Sequence, residues 1–132
     1  MKPIEGAVIG LISSETDYRL SWLINKQLHF NLVKQADIEI TNAGSTTPSC
    51  FSVFGYYHDK HTISYRLIAN KFENLALIRK FKNIDYFLVA QGSTDDENMQ
   101  RTASELKKIN GILGVFILLD KEFLNLFELT SD

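Results

Sequence analysis

The sequence predicts an α+β fold: a two-layer, mostly antiparallel sheet covered by two long helices, ferredoxin-like with added strands. Three observations predict it. Two segments repeat apolar residues at helical spacing, with Leu20, Leu23, Ile24 and Leu28 in one and Met99, Ala103 and Leu106 in the other. Thr62 to Asn70 alternates with period two, placing Ile63, Tyr65, Leu67 and Ala69 on one face and Thr62, Ser64, Arg66 and Asn70 on the other. The elements read in the order β-α-β-β-β-β-α-β-α, and two singly striped helices need a shared sheet face to bury their stripes.

Each element has its own signal. Ala7 to Ile12 is rich in Val and Ile and reads as a strand. Ser14, three residues before Asp17, has capping-box form and opens a helix from Glu15 to Leu28. Residues 30–41 read as extended, with Ile38 and Ile40 alternating against Asp37 and Glu39, and 42–48 read as a loop. Phe51 to Tyr57 is aromatic and β-branched, which suits a strand, and His58-Asp59-Lys60-His61 reads as a hairpin loop before the alternating strand. Ile84 to Gln91 is a further strand. A helix follows, capped at Ser93 or Thr94, with Glu97 completing a second capping box and Asn110-Gly111 as its stop. Leu113 to Leu119 is continuously apolar and reads as a central strand, after which Asp120 caps a short final helix that packs Leu124 and Phe127.

The chain of 132 residues suits one domain covering 1–132, with 45% hydrophobic and 23% charged residues. A net charge of -2 lacks the basic excess that phosphate neutralisation needs, so nucleic acid is not an expected partner. The apolar run Ile112 to Leu119 is too short to span a bilayer, and Met1 to Gly6 lacks the form of a signal peptide, so no membrane partner is expected either. A single cysteine, Cys50, fits a reducing compartment, and the cytoplasm is the expected location.

Three segments resemble the bacterial IPExxxVDY family, named after its own motif. They are Asp17-Tyr18-Arg19-Leu20 with Trp22 and Asn25, Tyr65 to Lys71, and Leu77 to Leu88. Ile78, Asp85 and Tyr86 match the naming motif, whereas Arg79, Lys80 and Ile84 stand where it has proline, glutamate and valine. The resemblance implies kinship over most of the chain and supplies no activity. Residues 84–119 are also similar, at the level of fold, to one half of ACT-type small-molecule-sensing domains.

Candidate chemistry is sparse. His58, Asp59 and His61 offer metal-ligating atoms, without the helical spacing or cysteine pair that would complete a tetrahedral set. His29 suits the C-terminus of the first helix. Cys50 has no sequence neighbour that would form a thiolate, and reads as a small buried hydrophobe. Gly92-Ser93-Thr94 precedes a helix, but Asp95, Asp96 and Glu97 would repel an anion there. Asp85 reads as a turn carboxylate rather than a general base.

Tyr18, Arg19, Trp22 and Asn25 lie on the flank of the first helix away from its apolar stripe, and they form the leading candidate interface, because exposed aromatics beside Arg are enriched at binding hot spots. The competing reading, which the usual burial of Trp favours, has Tyr18 and Trp22 widening the buried stripe. Arg79, Lys80 and Lys82 form a small basic cluster, with Lys71 nearby across the turn; it reads first as a solvated loop, and otherwise would suit an acidic partner or an anionic ligand.

No catalytic residue, cofactor or metal is therefore expected. The expected function is a non-enzymatic module that self-associates as a dimer or binds a protein partner, because Phe51 to Tyr57 and Leu113 to Leu119 are apolar on both faces. The alternative is a small-ligand sensor with its pocket between helix and sheet or at a dimer seam, and an enzyme of unknown class comes third.

Overall fold

The computed structural model describes residues 6–41, 44, 46–58, 63–92 and 95–118. In chain order the elements are β1 (Gly6–Ile12), α1 (Asp17–Leu28), β2 (Val33–Ile40), β3 (Ser49–His58) and β4 (Ile63–Ala69). Then come β5 (Lys71–Phe72), β6 (Leu75–Ala76), a single 3-10 turn at Arg79–Phe81, β7 (Tyr86–Gly92), α2 (Asp96–Lys107) and β8 (Gly114–Leu118).

Among the described residues six strands form one sheet in the order β2-β3-β4-β7-β1-β8, and every neighbouring pair in it is antiparallel. The four strands β8-β1-β7-β4 have the ferredoxin-like order: α2 crosses from β7 to the parallel β8 with β1 between them, while α1 leaves β1 and enters the added strand β2, from which the chain returns through β3 to β4, parallel to β1. The β2–β3 hairpin extends that sheet beyond β4, which makes these the added strands.

Both helices cover one face. Leu20 and Ile24 of α1 and Met99, Ala103 and Leu106 of α2 pack with Ile9, Leu11, Leu67 and Leu88 in one core, where Leu20, Ile24 and Leu106 have no exposed surface. The alternation read in β4 puts Ile63, Tyr65 and Leu67 into this core.

The second sheet face is half covered as well. Between β4 and β7 the chain leaves the sheet, forms the β5–β6 ribbon and the 3-10 turn, and lays Phe72, Leu77, Ile78 and Phe81 over Val8, Phe51, Val53, Ile68, Phe87 and Val89. This second core explains why Phe51 to Tyr57 is apolar on both faces: Phe54 faces the helices and Phe51 and Val53 face the ribbon. Two-residue strands carry no periodicity, so the ribbon has no sequence signal beyond its turn, where Glu73 adopts φ 54.

Leu113 to Leu119 was expected at the centre of the sheet, and this is corrected: among the described residues β8 pairs with β1 alone, at the edge of the described sheet. An apolar run reports burial of two faces and is silent about the two edges. Both helix starts also move. The N-cap of α1 is Thr16, whose Oγ1 accepts from Arg19 N at 3.4 Å, rather than Ser14. Helix formation waits because Ser13 is engaged: its Oγ donates to Gly111 O at 2.6 Å and accepts from Glu15 N at 3.1 Å. The N-cap of α2 is Asp95, whose carboxylate accepts from Asn98 N at 2.7 Å. An acidic cap also complements the positive end of the helix dipole.

The α2 helix stops at Lys107, before Asn110-Gly111, and Gly111 at φ 117 turns the chain into β8. His29 closes α1 in the left-handed conformation, φ 59. Residues Ser93 and Thr94, residues 59–62 of the expected hairpin loop, and the expected final helix at Asp120 with Leu124 and Phe127 lie outside the described residues.

Candidate functional site

The flank of α1 stands in solvent. Tyr18 is 65% exposed and Trp22 50%, so neither widens the buried stripe, and that reading is corrected. Helical spacing sets what surrounds them: the Arg19 guanidinium lies 4.9 Å and the Lys26 ammonium 5.2 Å from the Trp22 ring centre, one from the turn before and one from the turn after. Tyr18 packs edge-on against Phe54 at 5.2 Å, which anchors its ring over the start of the helix. Asn25 is used differently. Its side chain accepts from Leu32 N at 2.8 Å and donates to Leu32 O at 3.1 Å, a two-point clamp on the chain entering β2.

The basic residues occupy one short turn. Arg79 and Lys80 lie in the 3-10 turn and Lys82 follows it, all three exposed. Arg79 borders a small cleft of about 100 Å³ beside Phe51 and Leu75, and Lys80 Nζ lies 5.6 Å from the Phe81 ring centre. Lys71 is drawn away to Asp85 at 3.5 Å.

Asp85, Tyr86 and Ile78, the positions that match the naming motif, meet with Asn70 in one knot of main-chain clamps. Asn70 has no exposed surface. Its amide nitrogen donates to Phe81 O at 2.9 Å and Ile84 O at 2.8 Å, and its oxygen accepts from Ile78 N at 2.8 Å. Asp85 Oδ2 accepts from Ser13 N at 2.9 Å, joining the end of β1 to the start of β7. The Tyr86 hydroxyl donates to Glu15 O at 2.7 Å, directly before α1. Burial pushes the Tyr86 phenol up to about 12, with Asp17, Asp85 and Glu15 adding in the same direction, so it stays a neutral donor. These groups hold the ribbon and the first helix in place, and their hydrogen bonds run to main-chain atoms rather than into a cleft. Among the described residues no buried side-chain nitrogen or oxygen lacks a partner.

Two further features had no sequence signal. The half of the second sheet face that the ribbon leaves bare carries a cavity of about 520 Å³ over Gly55, bordered by Gln35, Tyr57, Ser64, Arg66 and Gln91. Only the register brings these together: Gly55 pairs with Arg66, Tyr57 with Ser64, and Ser64 with Gln91. Between the helices and the sheet, where one of the two expected ligand pockets would lie, the structure has the main core.

The second feature is the contrast between the sheet's two edges. β2 carries Lys34, Asp37 and Glu39, an ion pair from Lys34 to Asp37 at 2.6 Å, and a register break between Gln35 and Ile38. Charges and bulges of this kind discourage edge pairing. β8, Gly-Val-Phe-Ile-Leu, carries none of them; Phe116 on the strand is 47% exposed and Leu113 beside it 76%.

Cys50 is half-buried, with its sulfur 3.9 Å from Pro48 O. Among the described residues no three His, Cys, Asp or Glu side chains gather as a metal would require, and no helix is long and apolar enough to cross a membrane. His58 and His61, expected in a hairpin loop, fall outside that statement, since only the backbone of His58, at the end of β3, is described. No family model, no curated protein and no solved structure matches the chain.

Proposed function

We propose that this chain is a non-enzymatic module that pairs with a second copy of itself through β8. The observation that carries the reading is the asymmetry of the sheet edges: β2 is charged and bulged, while β8 is short, uncharged and apolar. An open edge of that composition is a template for another strand. A twofold axis at Phe116 would set β8 antiparallel to its mate and place two half-exposed phenylalanines side by side, an isologous contact that closes as a dimer.

The test is light scattering on the full chain and on Phe116→Lys. The wild-type chain should run as a dimer at micromolar concentration. A lysine at the axis would oppose its own mate and should give a monomer with unchanged circular dichroism. A wild-type monomer would end the proposal.

The exposed α1 flank favours a second, compatible role. Tyr18, Arg19 and Trp22 form an aromatic–cation surface of the kind enriched at interfaces, suited to an acidic protein partner. Kinship with the IPExxxVDY family belongs to the same proposal. It is supported by the way Asn70, Ile78, Asp85 and Tyr86 cooperate in one folding knot, which gives a physical reason to keep such positions without any catalytic role. The single half-buried thiol fits a cytoplasmic location.

A further inference from the structure

The small cleft beside the basic turn is apolar inside and cationic at one side. Ile40, Phe51, Leu75 and Leu77 line it, and Arg79 is the charged residue among its described lining. Its walls are braced from behind: Phe51, 2% exposed, packs edge-on against Phe72 at 6.2 Å, and Leu77 N donates to Asn70 O at 2.7 Å. Size decides what fits. About 100 Å³ is well below what a free small molecule occupies, and suits one branched aliphatic side chain. The turn itself places the charges. Side chains three apart in a 3-10 turn eclipse, so Arg79 and Lys82 project on one side, while Lys80 sits over the Phe81 ring. Arg79 and Lys82 are exposed, and among the described residues no carboxylate forms an ion pair with either.

We propose that the cleft and this turn form a docking site for an acidic segment of a partner protein, with one branched aliphatic side chain of the segment in the cleft and its carboxylates on Arg79 and Lys82. A single desolvated anchor ringed by weaker polar contacts is how binding energy is commonly distributed at interfaces. In an extended segment residues two apart face the same way, so an aliphatic residue and an acid two places on would meet the cleft and the turn together. The planar fork of Arg79 matches the two oxygens of a carboxylate. An anionic membrane would use the cations and leave the cleft idle, so the cleft favours a peptide. The site lies on the sheet face opposite α1 and at the far end of the sheet from β8, so it stands or falls independently of self-association and of the α1 flank.

The test is amide NMR of the full chain titrated with three acetylated, amidated peptides, Glu-Leu-Asp-Asp-Glu, Glu-Ala-Asp-Asp-Glu and Lys-Leu-Lys-Lys-Lys, beside co-sedimentation with phosphatidylserine vesicles. The leucine-bearing acidic peptide should give saturable shifts centred on Ile40, Leu75 and Leu77. The alanine peptide should bind roughly tenfold more weakly or worse, because it buries less aliphatic surface. The lysine peptide and the vesicles should not bind. Arg79→Glu should abolish the shifts, whereas Arg19→Glu, on the α1 flank, should leave them unchanged. Absence of saturable shifts, shifts centred on α1, equal binding of the alanine or lysine peptide, unchanged binding by Arg79→Glu, or sedimentation with the vesicles would each overturn the assignment. The peptide comparison uses the unaltered chain, so it holds even if Arg79→Glu fails to fold.

Discussion

Asn70 is the residue on which the 71–85 excursion turns. Both hydrogens of its amide and its oxygen are used on main-chain groups of Phe81, Ile84 and Ile78. Replacing it with alanine strands those groups in a water-poor place, and the cost should be about 2–4 kcal/mol. Urea unfolding of Asn70→Ala should show a lower midpoint with an unchanged slope. Tyr86 gives a different readout. Its phenol is held near 12 in the folded chain against an ordinary value of 10.0. Below the ordinary value both states are protonated and the native advantage is complete. As pH rises beyond it the unfolded chain loses its proton first, so stability is lost through the folded value. Tyr86→Phe should lose about 1 kcal/mol at neutral pH from the missing bond to Glu15, and should show a shallower alkaline decline than the parent. None of this was legible in the sequence, where Asn70 looked like the polar end of an alternating strand and Asp85 like an ordinary turn carboxylate. Long-range hydrogen bonds to the main chain leave no local pattern to read.

At the scale of elements, the two caps differ in quality. Asp95 accepts from Asn98 N at 2.7 Å, whereas Thr16 accepts from Arg19 N at a long 3.4 Å. Asp95→Ala should therefore cost about 1 kcal/mol and Thr16→Ala distinctly less, as measured by thermal unfolding of the two variants side by side. Helix stripes and strand alternation were readable because burial on one face imposes a period. Cap positions were read two residues early in α1 because Ser13 hydrogen-bonds to the Gly111 turn, a contact that no local window contains. The edge position of β8 was hidden for a related reason. Val115 and Ile117 face the helices, so the strand is apolar whether or not a neighbour lies beyond it. The exposed flank of α1 was legible as a pattern, yet its exposure was not, because spacing alone assigns Tyr18 and Trp22 equally well to a wide stripe or to solvent.

At the scale of the whole molecule, one sheet is asked to serve two faces and two edges, and each has a different solution. The helices cover one face with the core built on Leu20, Ile24 and Leu106. The ribbon covers half of the other face and leaves the Gly55 cavity. One edge is guarded by charge and a bulge, and the other, β8, has no second neighbour among the described residues. The order of elements made the helical layer and the added strands foreseeable, while the division of the second face depends on an excursion of two-residue strands. Pairing of the open edge is the claim on which the functional account rests, and it predicts a difference between the two edges that depends on concentration. Amide hydrogen exchange of the full chain across a dilution series measures it directly. Protection of β8 amides should rise as the chain is concentrated while that of β2 amides stays constant; β8 protection independent of concentration, or a rise confined to β2, would contradict the account.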